Sequence, residues 1–117
     1  MIDVAVYDRL KSLAQGRVYF VRAQQSAALP LIVYTIISSQ EEYSGDGHDG
    51  LSQYRVQIDV WARDRAAGRA LMGAVKTIMR VSAADFSTVD ETDNIDEIDS
   101  QTDEYRASTD FICWLHS

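Results

Sequence analysis

The sequence contains little cysteine, little proline and no long apolar segment. Of its 117 residues only one is cysteine and only one is proline. A single cysteine, Cys113, excludes an intrachain disulfide and suits a reducing compartment. No apolar run approaches the ~18 residues that a membrane-spanning helix needs, and residues 1–4 lack the basic region of a signal peptide. We therefore expect a globular protein with no membrane partner.

Basic residues are absent from residues 90–104, which hold eight of the 18 acidic groups and so carry a charge of -8. Residues 55–89 hold six basic and three acidic groups, a net charge of +3, while the whole chain carries -7. Such a balance does not provide the basic footprint of general nucleic-acid binding. The length and the hydrophobic fraction of 46% predict one domain over residues 1–117, with residues 90–104 as an acidic hairpin arm or loop.

Changes of hydrophobic period predict the order α-β-β-β-α-β-β. Residues 2–14 place apolar side chains on one helical face. The clearest helix begins after Asp64, a good N-cap residue, and repeats apolar residues at helical spacing to Met79. Strands are predicted at residues 18–21, 29–37, 54–62, 86–90 and 105–115. We predict an α+β fold, in which an antiparallel sheet of four to five strands carries two helices on one face.

The candidate catalytic and cofactor motifs are weak. Residues 45–50 match the spacing GxGxxG, but a strand follows them instead of a helix, so a hairpin turn is expected. One histidine and two aspartates in that turn make a poor metal site. Cys113 and His116 are three residues apart in a strand and point to opposite faces, which excludes a nucleophile–base pair. We therefore predict no catalytic residue, no cofactor, no metal and no enzymatic activity.

Two aspartates lie in the middle of strands, on the polar faces. Asp59 and Asp110 would form paired carboxylates if their strands were neighbours. Salt bridges to Arg55, Arg63 or Arg106 are the favoured interpretation.

Several segments follow one another in a distinctive order. They are Val18-Tyr19 after the first helix, Leu29 to Tyr34, the Gly/Asp-rich turn, Val56 to Ala62, the Ala-rich helix from Arg65 to Met79, and Tyr105-Arg106 through Asp110-Phe111. This series resembles the tail completion or tail terminator proteins of long-tailed bacteriophages and prophages, over nearly the whole chain. No single segment is specific, and residues 90–104 are not part of the matching pattern.

The resemblance implies a structural role in virion assembly. Proteins of this family form a homo-oligomeric ring, typically hexameric, on the head-proximal end of the viral tail. The ring stops growth of the tail tube protein and offers a surface to the head–tail connector protein, while DNA passes through the lumen without specific binding. Such a protein is made in the bacterial host cytoplasm and ends up in the virion.

A ring needs two different patches that fit each other. We hypothesise that the acidic segment of one subunit contacts the basic helix of its neighbour. The competing interpretation is that both are solvated surfaces, since charge runs usually are. The residues of this hypothesised subunit interface are Arg65, Arg69, Lys76, Arg80, Asp90, Glu91, Asp93, Asp96, Glu97 and Asp99.

Other functions remain open on sequence grounds. A head-closure or connector protein, or another minor tail morphogenesis protein, would have similar size and composition. An acidic DNA-mimic protein would spread its acidic groups over a face, whereas here they sit in one segment. An acidic lumen face that repels DNA is a further hypothesis for the ring.

Overall fold

The computed structural model describes residues 2–23, 28–44, 47–83, 86–100 and 102–116. Its elements follow the order α-β-β-β-α-β-β, with a short 3₁₀ turn at Ala14–Gly16 after the first helix. The α+β fold and the predicted order are therefore confirmed. The elements are α1 (Ile2–Leu10), β1 (Val18–Phe20), β2 (Leu31–Ser44), β3 (Gly47–Ala62), α2 (Arg65–Met79), β4 (Phe86–Ile98) and β5 (Tyr105–His116).

The five strands form one sheet in the order β1-β2-β3-β5-β4. All neighbours are antiparallel except β1 and β2, which run parallel, with Val18 opposite Ile32. The prediction of a fully antiparallel sheet is wrong at this one pair. The reason is the length of the connection: ten residues, 21–30, separate β1 from β2, many more than a hairpin between antiparallel strands needs, and parallel strands require a longer connection.

Both helices pack on the same face of the sheet, as predicted. The buried side of α1 is formed by Ile2, Val6 and Leu10, which join the same core cluster as the inward side chains of β2, β3 and β5. The buried positions of α2 recur every three or four residues, as expected of a helix lying on a sheet. They are Gly68, Met72, Val75 and Met79.

The start of α2 shows how the sequence sets a boundary. The Asp64 carboxylate accepts a hydrogen bond from the backbone N–H of Ala67 at 2.8 Å, which satisfies one of the free donors of the first turn. The predicted N-cap is thus confirmed. Neither helix of the described chain is long and apolar enough to cross a membrane.

Strands β2 and β3 are longer than the sequence predicts. Their pairing continues to Ser44 opposite Gly47. Residues 47–50 of the predicted turn therefore belong to β3, and residues 45–46 lie outside the described residues. Because β3 already begins at Gly47 and no helix follows the glycines, the dinucleotide-binding geometry has no place here.

The greatest departure from the sequence-based prediction is β4. It extends to Ile98 instead of ending near residue 90, and it pairs with β5 from Phe86 opposite Leu115 to Ile98 opposite Tyr105. Most of the acidic segment is thus the edge strand of the sheet, and residues 99–104 connect it to β5. Hydrogen bonds from Asp99 N to Glu104 O and from Asp103 N to Asp99 O, both 2.8 Å long, order this connection.

Candidate functional site

Four cations lie along one side of α2. Their positions, 65, 69, 76 and 80, fall within an arc of roughly 60° at about 100° per residue. That side of the helix faces β4, because α2 packs across β3, β5 and β4. The helix therefore presents a row of positive charges to the acidic edge strand of its own chain.

A β-bulge aligns the acidic partners. The register between β4 and β5 shifts between Asp93 and Ile95, which adds one residue to β4. Without this extra residue, Asp93 and Asp96 would point to opposite faces of the sheet. With it, Glu91, Asp93 and Asp96 all face α2.

The resulting ion pairs lie within one chain. Arg69 Nη2 is 2.9 Å from Asp96 Oδ2, and Arg65 Nε is 3.9 Å from Asp96 Oδ1. Lys76 Nζ is 2.7 Å from Asp93 Oδ1. The Arg80 guanidinium donates to both carboxylate oxygens of Glu91: Nη2 donates to Oε1, and Nε lies 3.1 Å from Oε2.

These intrachain ion pairs already engage most residues of the hypothesised subunit interface. All four of its cations and three of its acids already have partners in their own chain, because the bulged β4 lies beside α2. Asp90 and Glu97 stand opposite Ile112 and Arg106, on the sheet face away from α2. Asp99 lies in the connection after β4, where its carboxylate accepts from Thr102 N at 3.3 Å. Contact between subunits through these residues stays a prediction.

Two side chains on β5, Thr109 and Tyr105, hydrogen-bond to the acids of this site. The sequence did not identify either of them as part of it. Thr109 donates a hydrogen bond to Asp93 at 2.9 Å. Hydrogen bonds from Lys76 and Thr109 hold the pKa of Asp93 below its ordinary value of 3.8. Hydrogen bonds from Tyr105 and Arg69 likewise lower the pKa of Asp96. The sequence feature that could have identified Thr109 is its position on the apolar face of β5, since buried hydroxyls need a hydrogen-bond partner.

Acid is expected to loosen β4 from α2. Because the folded pKa of Asp93 is lowered, its stabilising contribution is complete above the ordinary value of 3.8 and is lost as the pH falls through the lowered pKa. We expect the melting temperature of Asp93→Asn to fall less than that of the wild type below pH 3.8. Asp90→Asn, which removes a charge from the same strand but not from the α2 side, should behave as the wild type does. Equal acid sensitivity of all three proteins would contradict this account.

The ion pairs border a cleft of about 530 Å³ between α2 and β4. Its walls carry both signs of charge, and its floor includes Met72 and Ala107. Gly73 lines this cleft, and a Cβ built on it would meet nothing within 4 Å. Among the described residues, no group of three or more His, Cys, Asp or Glu side chains is arranged to hold a metal ion.

The opposite face of the sheet carries a second set of charges. Arg55 Nη1 lies 3.0 Å from Asp110 Oδ2, and Arg106 Nη2 lies 3.3 Å from Asp59 Oδ2. The predicted salt bridges of both aspartates are thus confirmed. Asn94 adds a 2.7 Å hydrogen bond to Asp110.

No helix of the described chain covers this second face, yet parts of it are buried. The hydroxyl of Ser108 and the Nε of Arg106 lie buried and lack a hydrogen-bond partner among the described residues. The Arg106 guanidinium also stacks on Trp61, 5.2 Å from a ring centroid. Buried polar groups without partners are uncommon in native structures.

Cys113 is buried against Thr88, whose hydroxyl is 3.6 Å from the sulfur. Burial raises the pKa of its thiol to about 11, so almost none of it is the reactive thiolate at neutral pH. We expect native protein to resist iodoacetamide and protein unfolded in urea to be alkylated at once. Rapid alkylation of the native chain at pH 7 would show that the site opens.

Comparison with known proteins places the chain among viral tail components. A family model described as "Tail completion protein gp17" matches residues 4–116. A search of curated proteins finds no match. Among solved structures, a chain from the virion of a native gene transfer agent (GTA) particle has the same fold, with a TM-score of 0.59. At 13% identity, over 96% of this chain and 92% of that one, the likeness concerns the fold.

Proposed function

This chain belongs to the family of tail completion protein gp17, and from that premise we propose that it forms a ring that caps the tail tube and joins it to the head connector. Its role as a structural protein of a phage-type tail follows from the family. The ring, its partners and its head-proximal position are the proposal. The observation that carries it is the family match, which spans 113 residues from 4 to 116.

The structure supports assembly rather than catalysis. Its one thiol is buried and has a raised pKa. Several charged side chains on each face form ion pairs that hold neighbouring elements together.

The in-chain ion pairs also argue against DNA mimicry. A DNA mimic needs rows of unpaired negative charges, spaced like phosphates. Here Glu91, Asp93 and Asp96 are neutralised by α2 of the same chain. DNA is expected to pass the ring without being bound.

Growth of tail tubes tests the proposal. Tail tube protein of the same virus is polymerised with and without the chain, and tube lengths are measured by electron microscopy. We expect the chain to stop elongation and to add a ring at one tube end. The head-closure alternative predicts instead that tubes grow unchanged and that the chain binds the isolated connector. The loss of both activities would overturn the assignment to the head–tail junction.

A further inference from the structure

The large exposed apolar side chains of the described residues lie mostly at the two lateral edges of the sheet. The first edge, at β1 and the adjoining α1, carries Val4, Tyr7, Phe20 and Val21, which are 40–55% exposed. The second edge, at β4 and the end of α2, carries Val81, Val89 and Ile98, which are 50–56% exposed. Ile37 on β2, just beyond the end of β1, is the remaining one. Because β1 and β4 are the outermost of five strands, the two edges lie on opposite sides of the sheet.

The first edge is a firm apolar surface. The ring of Phe20 contacts the ring of Tyr34, with 5.2 Å between centroids. Tyr34 is itself 4% exposed and lies in the core beneath α1. The exposed half of Phe20 is therefore held in place from below, as an anchor residue of an interface would be.

The two edges carry opposite charge. Residues 2–23, which span α1 and β1, hold four basic and two acidic groups, a net charge of +2, while residues 86–104 hold eight acidic groups and no basic one. One of the four cations, Arg9, donates to the carbonyl oxygens of Ile78 and Val81, so the remaining three carry the positive charge of the first edge. Three of those acids are neutralised by α2. Asp90 and Glu97, on the other side of β4, are exposed, and so is Arg22 beside the first edge.

We propose that the first edge of one copy packs against the second edge of the next copy, head to tail. This inference rests on the proposed ring and names its subunit contact. Two different apolar patches of opposite charge fit each other, whereas a two-fold contact would bring acid to acid or base to base. A head-to-tail contact between different patches is also the kind that closes a ring.

Two variants separate the edges. Phe20→Glu places a charge in the first edge, and Val89→Glu places one in the second. Both positions are about half exposed, so melting temperatures should stay near that of the wild type. Ala66→Glu is the matched control, because it adds the same charge at an exposed position on α2, away from both edges.

Sedimentation velocity of each protein, and of an equal mixture of the two edge variants, tests the contact. We expect rings for the wild type and the control, and monomers for each edge variant alone. The mixture should stop at a dimer of twice 13.1 kDa, because only one intact first edge and one intact second edge remain in each pair.

Ring formation by either edge variant alone, or a mixture that stays monomeric, would overturn the head-to-tail contact. So would a wild type that stays monomeric both in solution and on tail tubes. The proposed function is judged separately, by whether the wild type stops tube growth. A wild type that caps tubes while both edge variants cap them equally well would refute the edges and leave the function intact.

Discussion

Truncation of Phe111 to alanine is expected to lower the free energy of unfolding by about 3–5 kcal/mol, as for other fully buried aromatic residues. Phe111 is 0% exposed and lies in the middle of β5, opposite Val56 on β3 and Glu91 on β4. Removal of its ring would leave a cavity between the sheet and the helix layer. Urea unfolding followed by circular dichroism measures the loss.

Phe20→Ala is the matched control for this loss. Its ring is 47% exposed, so the same truncation should cost no more than about 1 kcal/mol, as at most surface sites. Phe20→Ala should instead weaken the assembly of subunits. Similar unfolding free energies for the two variants would contradict the placement of the core.

Gly68→Ala is expected to destabilise the protein by about 1–3 kcal/mol, because overfilling a packed core forces side chains and backbone to shift. A Cβ built on Gly68 would overlap the ring of Tyr105, with even the ring Cγ only 3.1 Å away. Tyr105 is 1% exposed, so either its ring or α2 must shift to admit the added methyl group. The glycine is therefore what allows α2 to lie close to β5.

Gly73→Ala supplies the control for Gly68→Ala within the same helix. Its added Cβ meets nothing within 4 Å, so the substitution should stabilise the chain by roughly 0.5–1 kcal/mol through helix propensity alone. Opposite signs for the two substitutions, measured by urea unfolding, are the expected result. Stabilisation by Gly68→Ala would show that α2 does not lie on Tyr105.

The parts of the fold that could be predicted from sequence are those with a strong local signal. The helix Arg65–Met79 has both a cap at Asp64 and apolar residues at helical spacing, and its bounds agree with the structure. Strand β5 alternates apolar and polar residues over its first half and continues as an apolar run from Phe111 to Leu115. The salt bridges of Asp59 and Asp110 follow from the same alternation, since it places them on one face with arginines.

Strand β4 could not be predicted, because its signal is not local. Residues 90–98 are acidic and hold few apolar side chains, which is typical of a loop. What makes them a strand is pairing with β5 along their whole length and the cations of α2 above them. The bulge between Asp93 and Ile95 also breaks the alternation that would have revealed a strand. The parallel pairing of β1 depends likewise on the path of the chain rather than on any residue in β1.

The same reasoning explains what happened to the candidate site. The sequence places positive charge on α2 and negative charge in residues 90–104, and the prediction drawn from it was a contact between subunits. The structure shows these charges paired within one chain, which the sequence could not reveal because the pairing depends on the register of β4. The sequence could not identify the apolar residues of the two edges, because the exposure that distinguishes Val4, Phe20 and Val89 from core residues is known only from the structure.

The central proposal is that copies of this chain form a ring at the head-proximal end of the tail tube. Electron microscopy of complete tails tests it most directly. Tails would be assembled with a chain tagged near residue 117 and labelled with gold against the tag. The account predicts label at the tube end that faces the head, on a ring that is absent from tails assembled without the chain. Label along the tube, at the distal tip or in the head would contradict it.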